Sequence, residues 1–530
     1  MSLAAGSALA RQGLPMSAPR VVSEPLGGGP LSRGVQDGLA PEEWFRPRPS
    51  GAAEWKKRAE SVRKDFDGSK WLAGLRPAFD PSGAAAERLD RVAAANGIVV
   101  TTGQQPGLFG GPLYTLLKAM SALTLADRIE RETGIPTAPV FWAATDDADF
   151  AEASWTAVVE GATARRLSIP RKGADGLVMA EMPLGDTSEQ FERLVESAGS
   201  SPHAQVLEAL AAAYQPDATV GGAYLTFLRA LLQPHGIAVL DAWHPATRAA
   251  ARPTMMEALR RASAIDEALA LRMVAIERAG FRAQVARVPR LSLVFRSTAG
   301  IKERVPILQA TETADRADAV LSANVLLRPV VERRILPTVA YVGGPGEIAY
   351  FAQVSAVADA LNMSSPLAVP RWSATVVEPS VDRRLGRLGM VLDDIRKPHE
   401  AERRLGDRAM PSTLRESLDA LREELARRMG GIAAATAAAD QLVPERVVEG
   451  ARHQMLHRVD RLERRLRAAA RARHVDAVHD LAAVRAAIMP EGQRQERRLN
   501  AVPMLARHGD LLVAQLKAGA AVHAGTLVGG

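Results

Sequence analysis

Four carboxylates lie within seven residues in the run Thr145-Asp146-Asp147-Ala148-Asp149-Phe150-Ala151-Glu152. Side chains of that type, packed that closely, could hold Mg2+, bind the ammonium of an amino acid, or take a proton from an attacking amine. A solvated acidic turn with a helix cap would use the same residues. Two glycine-rich runs accompany the acidic one: Gly103-Gln104-Gln105-Pro106-Gly107-Leu108-Phe109-Gly110-Gly111-Pro112 and Gly343-Gly344-Pro345-Gly346-Glu347. Glycines let a backbone approach a ligand closely, and free N–H groups ahead of a helix favour phosphate or carboxylate. Neither run has the GxxxxGK[ST] or GxGxxG spacing, and tight turns alone would account for each.

The flanking elements place all three runs alike. Ile98 to Thr102 is a short β-branched stretch of the kind buried in a parallel sheet, and it ends in the first glycine run. Apolar residues at 113, 116, 117, 120 and 123 predict a helix from Leu113 to Glu132, with Pro112 in its first turn and Gly134 as its stop. Pro139 to Ala144 reads as the next strand, so a βαβ unit is expected, with the acidic run just beyond it. Thr338 to Val342 is another apolar strand, leading into the second glycine run and a helix from Ile348 to Leu361. In open parallel sheets, ligands bind beyond the carboxyl ends of the strands. Residues 155–300 read as further strands plus an inserted subdomain, with a strand-like run at Leu177-Val178-Met179, a helix near Tyr224 to Leu232 and a strand from Gly236 to Asp241.

After Pro379 the composition turns to Ala, Arg, Leu and Glu. Three apolar seams follow: Leu385, Leu388, Leu392, Ile395; Leu414, Leu418, Leu421, Leu425; and Met455, Val459, Leu462, Leu466. Pro444 to Met489 reads as one helix of about 65 Å at ~1.5 Å per residue. Such a helix needs an antiparallel coiled coil or a dimer arm to bury its seam, and the chain after Pro490 is expected to return to the α/β core. The domains expected are therefore 1–154 and 301–378 as core halves, 155–300 as insertion, 379–489 as helical coiled coil and 490–530 as the returning segment.

Of 530 residues, 47% are apolar, ample for a large core. No stretch approaches ~18 consecutive apolar residues, and MSLAAGSALARQG lacks a basic n-region and a long apolar h-region, so a cytoplasmic protein without a membrane partner is expected. Met16 is as good a start as Met1, which would make the first fifteen residues a leader of no structural value. The chain has no cysteine, which excludes disulfides, thiolate metal sites and a Cys nucleophile. Zinc is not expected, because no HExxH or comparable cluster is present, and the i, i+4 pair His453 and His457 reads as a solvated helix face. No dedicated metal-ligand set is assigned. The net charge of +7 is carried mostly by arginine, since there are nine lysines, which suits anionic small molecules. With 4% aromatic residues and interleaved acids, nucleic acid is not an expected partner.

TGQQPGLFGGPLYTLLK at 102–118, PVFWAATDDADFAE at 139–152, LLRPVVERRILPTVAYVGGPGEIAYFAQ at 326–353, VPRWS at 369–373 and PEGQRQERRLN at 490–500 follow in order over most of the chain. Together they resemble the successive signatures of the bacillithiol-biosynthesis cysteine-adding enzymes, the cysteine ligase (BshC) family. The resemblance implies an α/β fold, a Rossmann-like parallel sheet core with connecting insertions, plus an α-helical coiled-coil domain used for homodimerisation. It also implies the addition of cysteine to glucosaminyl malate. Two departures stand out. Where the family commonly has E-D-H-D-F, this chain has Asp146-Asp147-Ala148-Asp149-Phe150, so any role of that histidine passes to Asp147, Asp149 or water, or the substrate differs. The loop has Pro106 where alanine is usual, a change expected to stiffen it.

Joining a free carboxylate to an amine in water needs activation, most simply by ATP, with or without accompanying Mg2+. On this reading the ATP phosphates lie over Gly103, Gln104, Gln105, Gly107, Gly110 and Gly111, with Lys118 or an arginine neutralising charge. Arg328 and Arg371 hold the malyl carboxylates. Tyr341, Gly343, Gly344, Gly346 and Glu347 form the opposite wall, Glu347 taking an ammonium or ribose hydroxyls. Asp146, Asp147, Asp149 and Glu152 supply the catalytic carboxylates, orienting cysteine's ammonium or deprotonating the sugar amine. Competing readings are a ligase or acyltransferase of the same fold using another amino acid or amine, and a non-catalytic nucleotide-binding coiled-coil assembly protein.

Overall fold

The computed structural model describes residues 18–397, 399–440 and 443–529; the expected leader, with Met16, lies outside the described residues. The apolar β-branched runs form the strands of a five-stranded sheet: β1 (Ile98–Gln104), β2 (Thr137–Ala143), β3 (Ala238–Asp241), β4 (Thr338–Gly343) and β5 (Ala368–Pro370). Their order across the sheet is β5-β4-β1-β2-β3, and every neighbouring pair is parallel. From β1 the sheet grows through β2 to β3; from β4 it grows the other way to β5. The direction of growth therefore reverses between β1 and β4, which makes their carboxyl ends the switch-point crevice.

Alternation along the strands divides two cores. Ile98 and Val100 of β1 pack with Ala122, Leu125 and Ile129 on one face, while Val99 joins Trp71, Leu75, Phe79 and Leu89 on the other. Helix α1 (Tyr114–Thr133) has 14 of its 20 residues buried, so it runs inside the protein and not along its surface. Gly134, at φ 71°, closes it in the left-handed conformation. Helix α2 (Arg328–Ile335) leads into β4, and α3 (Pro345–Ala360) leaves it.

Chain contacts divide the protein into two units. The first runs through Val158 and continues over Arg165–Val376 and Gln495–Gly530; the second comprises Val159–Ala164 and Val377–Arg494. In the first unit, Leu291–Thr298, Ile301–Pro306 and Val320–Ala323 form a separate antiparallel sheet. Leu177-Val178-Met179, expected as strand-like, is not a strand. Its amides, with that of Ala180, instead pin the acidic loop: Met179 N–H donates to the Asp147 carbonyl at 2.7 Å and Ala180 N–H to the Thr145 carbonyl at 2.9 Å.

In the second unit, α4 (Ser412–Ala438) and α5 (Glu445–Ala472) pack through Leu418 and Val459, with Leu414, Leu425 and Leu466 alongside. Arg422 of α4 reaches Asp460 and Glu463 of α5, and the two sides of that contact lie about equally far along the chain from the residues joining the helices, so the two helices run antiparallel. The single helix expected from Pro444 to Met489 is two, because the chain leaves helical geometry at His474 before α6 (Val475–Ile488). No glycine or proline marks that break. The apolar residues of α6, Leu481, Val484 and Ile488, belong to a helix that packs on Pro379–Leu388, so the change of packing partner forces the bend. The last helix, α7 (Val502–Val528), is long and apolar enough to cross a membrane by length and composition. Here its stripe Leu512, Leu516, Ala520, Ala524 and Leu527 is buried, and the helix packs against α1 within the first unit.

Candidate active site

A cavity of about 410 Å3 opens at the carboxyl ends of β1 and β4. The end of β1 contributes Gly103 and Gln104, followed by Gln105; α1 contributes Tyr114 and Lys118; α2 contributes Arg328 and Glu332; β4 and the start of α3 contribute Tyr341, Gly344, Gly346 and Glu347. Trp142, Glu152, Gln284, Tyr350, Arg371 and Arg497 complete its polar wall. Eleven of the residues singled out in the sequence thus converge here: Gly103, Gln104, Gln105, Lys118, Glu152, Arg328, Tyr341, Gly344, Gly346, Glu347 and Arg371.

Local geometry explains the glycines. A Cβ on Gly103 would come within 2.8 Å of the Trp142 carbonyl, so the close pairing of β1 with β2 excludes a side chain. Gly344 has φ −77°, open to any residue, but a Cβ there would point toward Glu347, Arg371 and Lys118 in the middle of the cavity. Gly343 ends β4 and is not among the lining residues. Gly107, Gly110 and Gly111 do not reach the cavity either. Gly110 N–H is shared between the Gly107 carbonyl and the Tyr214 hydroxyl, Gly111 N–H donates to the Leu108 carbonyl, and Asn500 Nδ2 donates to the Phe109 and Gly111 carbonyls. The Gly110 and Gly111 amides are thus already bonded within the turn and are not free for a phosphate. Gly110, at φ 86° against Phe227, serves the turn.

The charged groups form an ordered set. Buried Lys118 donates to the Gly103 carbonyl at 2.7 Å, to Gln104 Oε1 at 3.0 Å and to Glu347 Oε2 at 2.5 Å, using all three of its protons. Burial lowers its pKa, opposed by Glu347. Glu347 also accepts the Tyr341 hydroxyl and, at 2.6 Å, the Gly344 N–H, so the ammonium it holds here is that of Lys118. Arg371 makes a two-pronged pair with Glu496 at 2.7 and 2.9 Å, both side chains being 2–3% exposed. Arg497 is exposed and has no hydrogen-bond or ion-pair partner among the described residues.

Asp146, Asp147 and Asp149 do not line the cavity. Asp146 and Asp147 stand behind Arg328, at 3.8 and 3.7 Å from its guanidinium, and Asp146 is 3.7 Å from Lys302. Burial works against the charge on Arg328, yet the two aspartates outweigh it and raise its pKa. Asp147 accepts the Asp149 N–H and Asp149 caps the short helix Phe150–Ala153. Ala148 is not among the lining residues. Of the four expected catalytic carboxylates, only Glu152 faces the cavity, bonded by Gln105; burial and then the charges of Asp149 and Asp147 raise its pKa.

Several wall residues escaped the sequence reading. Tyr114 stands four residues before Lys118 and Glu332 four after Arg328, so helical spacing placed each beside a residue already singled out. Trp142 carries an indole N–H with no hydrogen-bond partner among the described residues. Nothing in the spacing brings Arg497 to Gly103. Its position depends on the segment Gln495–Asn500, held by Gln495 on the Val376 backbone, Glu496 on Arg371 and Asn500 on the glycine loop. Among the described residues no group of three or more His, Asp or Glu is arranged to hold a metal ion.

Comparison with known proteins also finds two parts along the chain. Residues 40–314 and 308–372 match the family model of the bacillithiol biosynthesis BshC N-terminal Rossmann-like domain, and residues 374–526 that of the BshC C-terminal coiled-coil domain. A Koribacter versatilis protein described as "Putative cysteine ligase BshC" is 33% identical over 441 residues, covering 80% of this chain and 81% of its own length. Proteins of the same description from Solibacter usitatus (31% identical; 79% and 82% covered) and Symbiobacterium thermophilum (29%; 89% and 93%) are also similar.

Proposed function

Because the chain belongs to the bacillithiol biosynthesis BshC family and is an enzyme of the ligase class, we propose that it joins the carboxyl of L-cysteine to the glucosamine amine of glucosaminyl malate, with ATP activating the carboxylate. The observation that carries this reading is the convergence of Arg328, Arg371, Arg497, Lys118 and the start of α3 on one cavity at the β1/β4 switch point. These groups suit a site for anions, and amide formation with a nucleotide brings several together: phosphates, an amino-acid carboxylate and the malyl carboxylates.

The paired and unpaired cations divide the work. Lys118 and Arg371, already bonded to Glu347 and Glu496, fix the shape of the wall and its positive field. Arg497, without a hydrogen-bond or ion-pair partner among the described residues, and the first-turn amides of α3 are the groups open to a phosphate or carboxylate. Arg328, held by Asp146 and Asp147, presents a guanidinium to a second carboxylate; in this role the two aspartates are positioning residues. ATP, when bound, supplies the leaving group for the cysteine carboxyl, and Mg2+ would arrive with its phosphates. The protein acts as a cytoplasmic homodimer, supported by the apolar side chains Leu421, Ile432, Met455 and Leu462 exposed on α4 and α5.

Thermal unfolding with each ligand separately tests the reading. At least two of ATP, cysteine and glucosaminyl malate should raise the Tm, by mass action on the folded state. Stabilisation by none of them would overturn it.

A further inference from the structure

Five carboxyl side chains are buried among the described residues: Asp146, Glu332, Asp394, Glu463 and Glu496. Asp146 lies by Lys302 and Arg328, Asp394 by Arg404, Glu463 by Arg422 and Arg467, and Glu496 by Arg371. Glu332 has no such ion pair among the described residues. It sits one helical turn beyond Arg328 on α2, 3% exposed, in the wall of the cavity. One oxygen accepts the Thr101 hydroxyl from β1, and no hydrogen bond to the other is present among the described residues. Arg328, the nearest candidate partner, is turned to Asp146 and Asp147. An unpaired buried carboxyl is costly wherever it serves only packing, because an apolar side chain would fill the space without desolvating a charge.

We propose that Glu332 is the proton acceptor for the attacking amine in the ligation, its unbonded carboxylate oxygen facing the amine in the cavity. This rests on the ligase reading above. The amine nitrogen forms the new C–N bond at the activated carbonyl carbon, and the C–O bond to the phosphate-bearing leaving group, derived from the nucleoside triphosphate, breaks with its electron pair. The N–H proton passes to Glu332 and from there to water.

The surroundings set when Glu332 can accept. Burial pushes its pKa up to about 8; the Thr101 hydroxyl and the Arg328 charge oppose that shift, and Glu347 on α3 adds to it. Tyr341 of β4 and Tyr350 of α3, both held neutral well above the ordinary tyrosine range, also face it. An acceptor titrating near 8 is well matched to an amino-sugar amine, and general-base catalysis of this kind is worth about 100-fold to 10,000-fold. Between about pH 4.5 and pH 8 the folded chain holds a proton that the unfolded chain has lost, so Glu332 makes stability fall as pH rises through that window.

The test is a pH–rate profile of the full chain with cysteine, ATP and glucosaminyl malate, for the wild type, Glu332→Gln and Thr101→Val. The wild-type kcat should rise with pH through about 8 and level off above it. Glu332→Gln should lose about 100-fold or more in kcat with KM little changed, lose that limb, and melt higher than wild type at pH 8 but not at pH 4. Thr101→Val, which removes a hydrogen bond favouring the carboxylate, should move the limb to higher pH. A Glu332→Gln enzyme with the wild-type profile, or a Thr101→Val limb that stays in place, overturns the proposal while leaving the ligase reading intact. Wild-type protein that forms no product from these substrates overturns the ligase reading, and this proposal with it.

Discussion

At the scale of single residues, the cavity wall distinguishes groups that are already bonded from groups that await a ligand. Lys118, Glu347, Arg371 and Glu496 are matched in pairs, and their removal would strand a buried partner. Arg497 is different, since its guanidinium is open to solvent and to the cavity alike. Replacing it with alanine should leave the melting temperature near wild type and weaken an anionic substrate by about 10-fold to 100-fold, as expected for a charge-assisted hydrogen bond of roughly 1.5–3 kcal/mol. Steady-state KM values for ATP and glucosaminyl malate check this, and an unchanged KM for both would remove Arg497 from the site. The sequence made Gly344 and Glu347 legible because they follow directly on a strand end, Lys118 because it lies on the helix that the first glycine loop leads into, and Arg328 through the family resemblance of the run 326–353. It could not show which way a side chain turns. Asp146 and Asp147 are near the cavity in sequence terms, but they point behind Arg328, and only coordinates separate a carboxylate that faces a ligand from one that steadies a cation.

At the scale of elements, the strand, glycine loop and helix pattern was readable because fully buried parallel strands are continuous apolar runs and α1 keeps its helical spacing. The limit of that reading is the first glycine loop, in which Gly103 to Gln105 face the cavity and Gly107 to Gly111 do not. The difference arises from Tyr214 and Asn500, which approach from distant parts of the chain and take up the loop's hydrogen bonds. Asn500 is buried and bonds the Phe109 and Gly111 carbonyls, the Thr156 hydroxyl and the Val502 N–H. Asn500→Ala would leave several of these unsatisfied, and a loss of about 2–4 kcal/mol is expected at roughly 1–3 kcal/mol for each buried orphan. Urea unfolding measures it; a midpoint equal to wild type would show that the loop holds itself. The break at His474 was illegible for a related reason, since it follows from a change of packing partner and from no breaker in the sequence.

At the scale of the whole molecule, the seams of the second unit were readable as apolar spacing, but the structure buries them unequally. Leu418 and Val459 are inside the pair formed by α4 and α5, while Leu421, Met455 and Leu462 remain 42–46% exposed. On the homodimer reading a second copy covers these side chains. Sedimentation should then give twice the chain mass at micromolar concentration, and Leu462→Glu with Met455→Glu should shift the protein toward monomer; a wild-type monomer would contradict this. For the first unit, the proposed function is a nucleotide-dependent condensation in the β1/β4 crevice. Mass spectrometry of cysteine, ATP and glucosaminyl malate incubated with wild type and with Arg328→Ala tests it most directly. The wild type should accumulate the condensed product, the sum of cysteine and glucosaminyl malate less one water, with one ATP consumed for each product formed, and Arg328→Ala should form at least about 100-fold less. Absence of product, product without ATP consumption, or undiminished product from the variant would contradict the account.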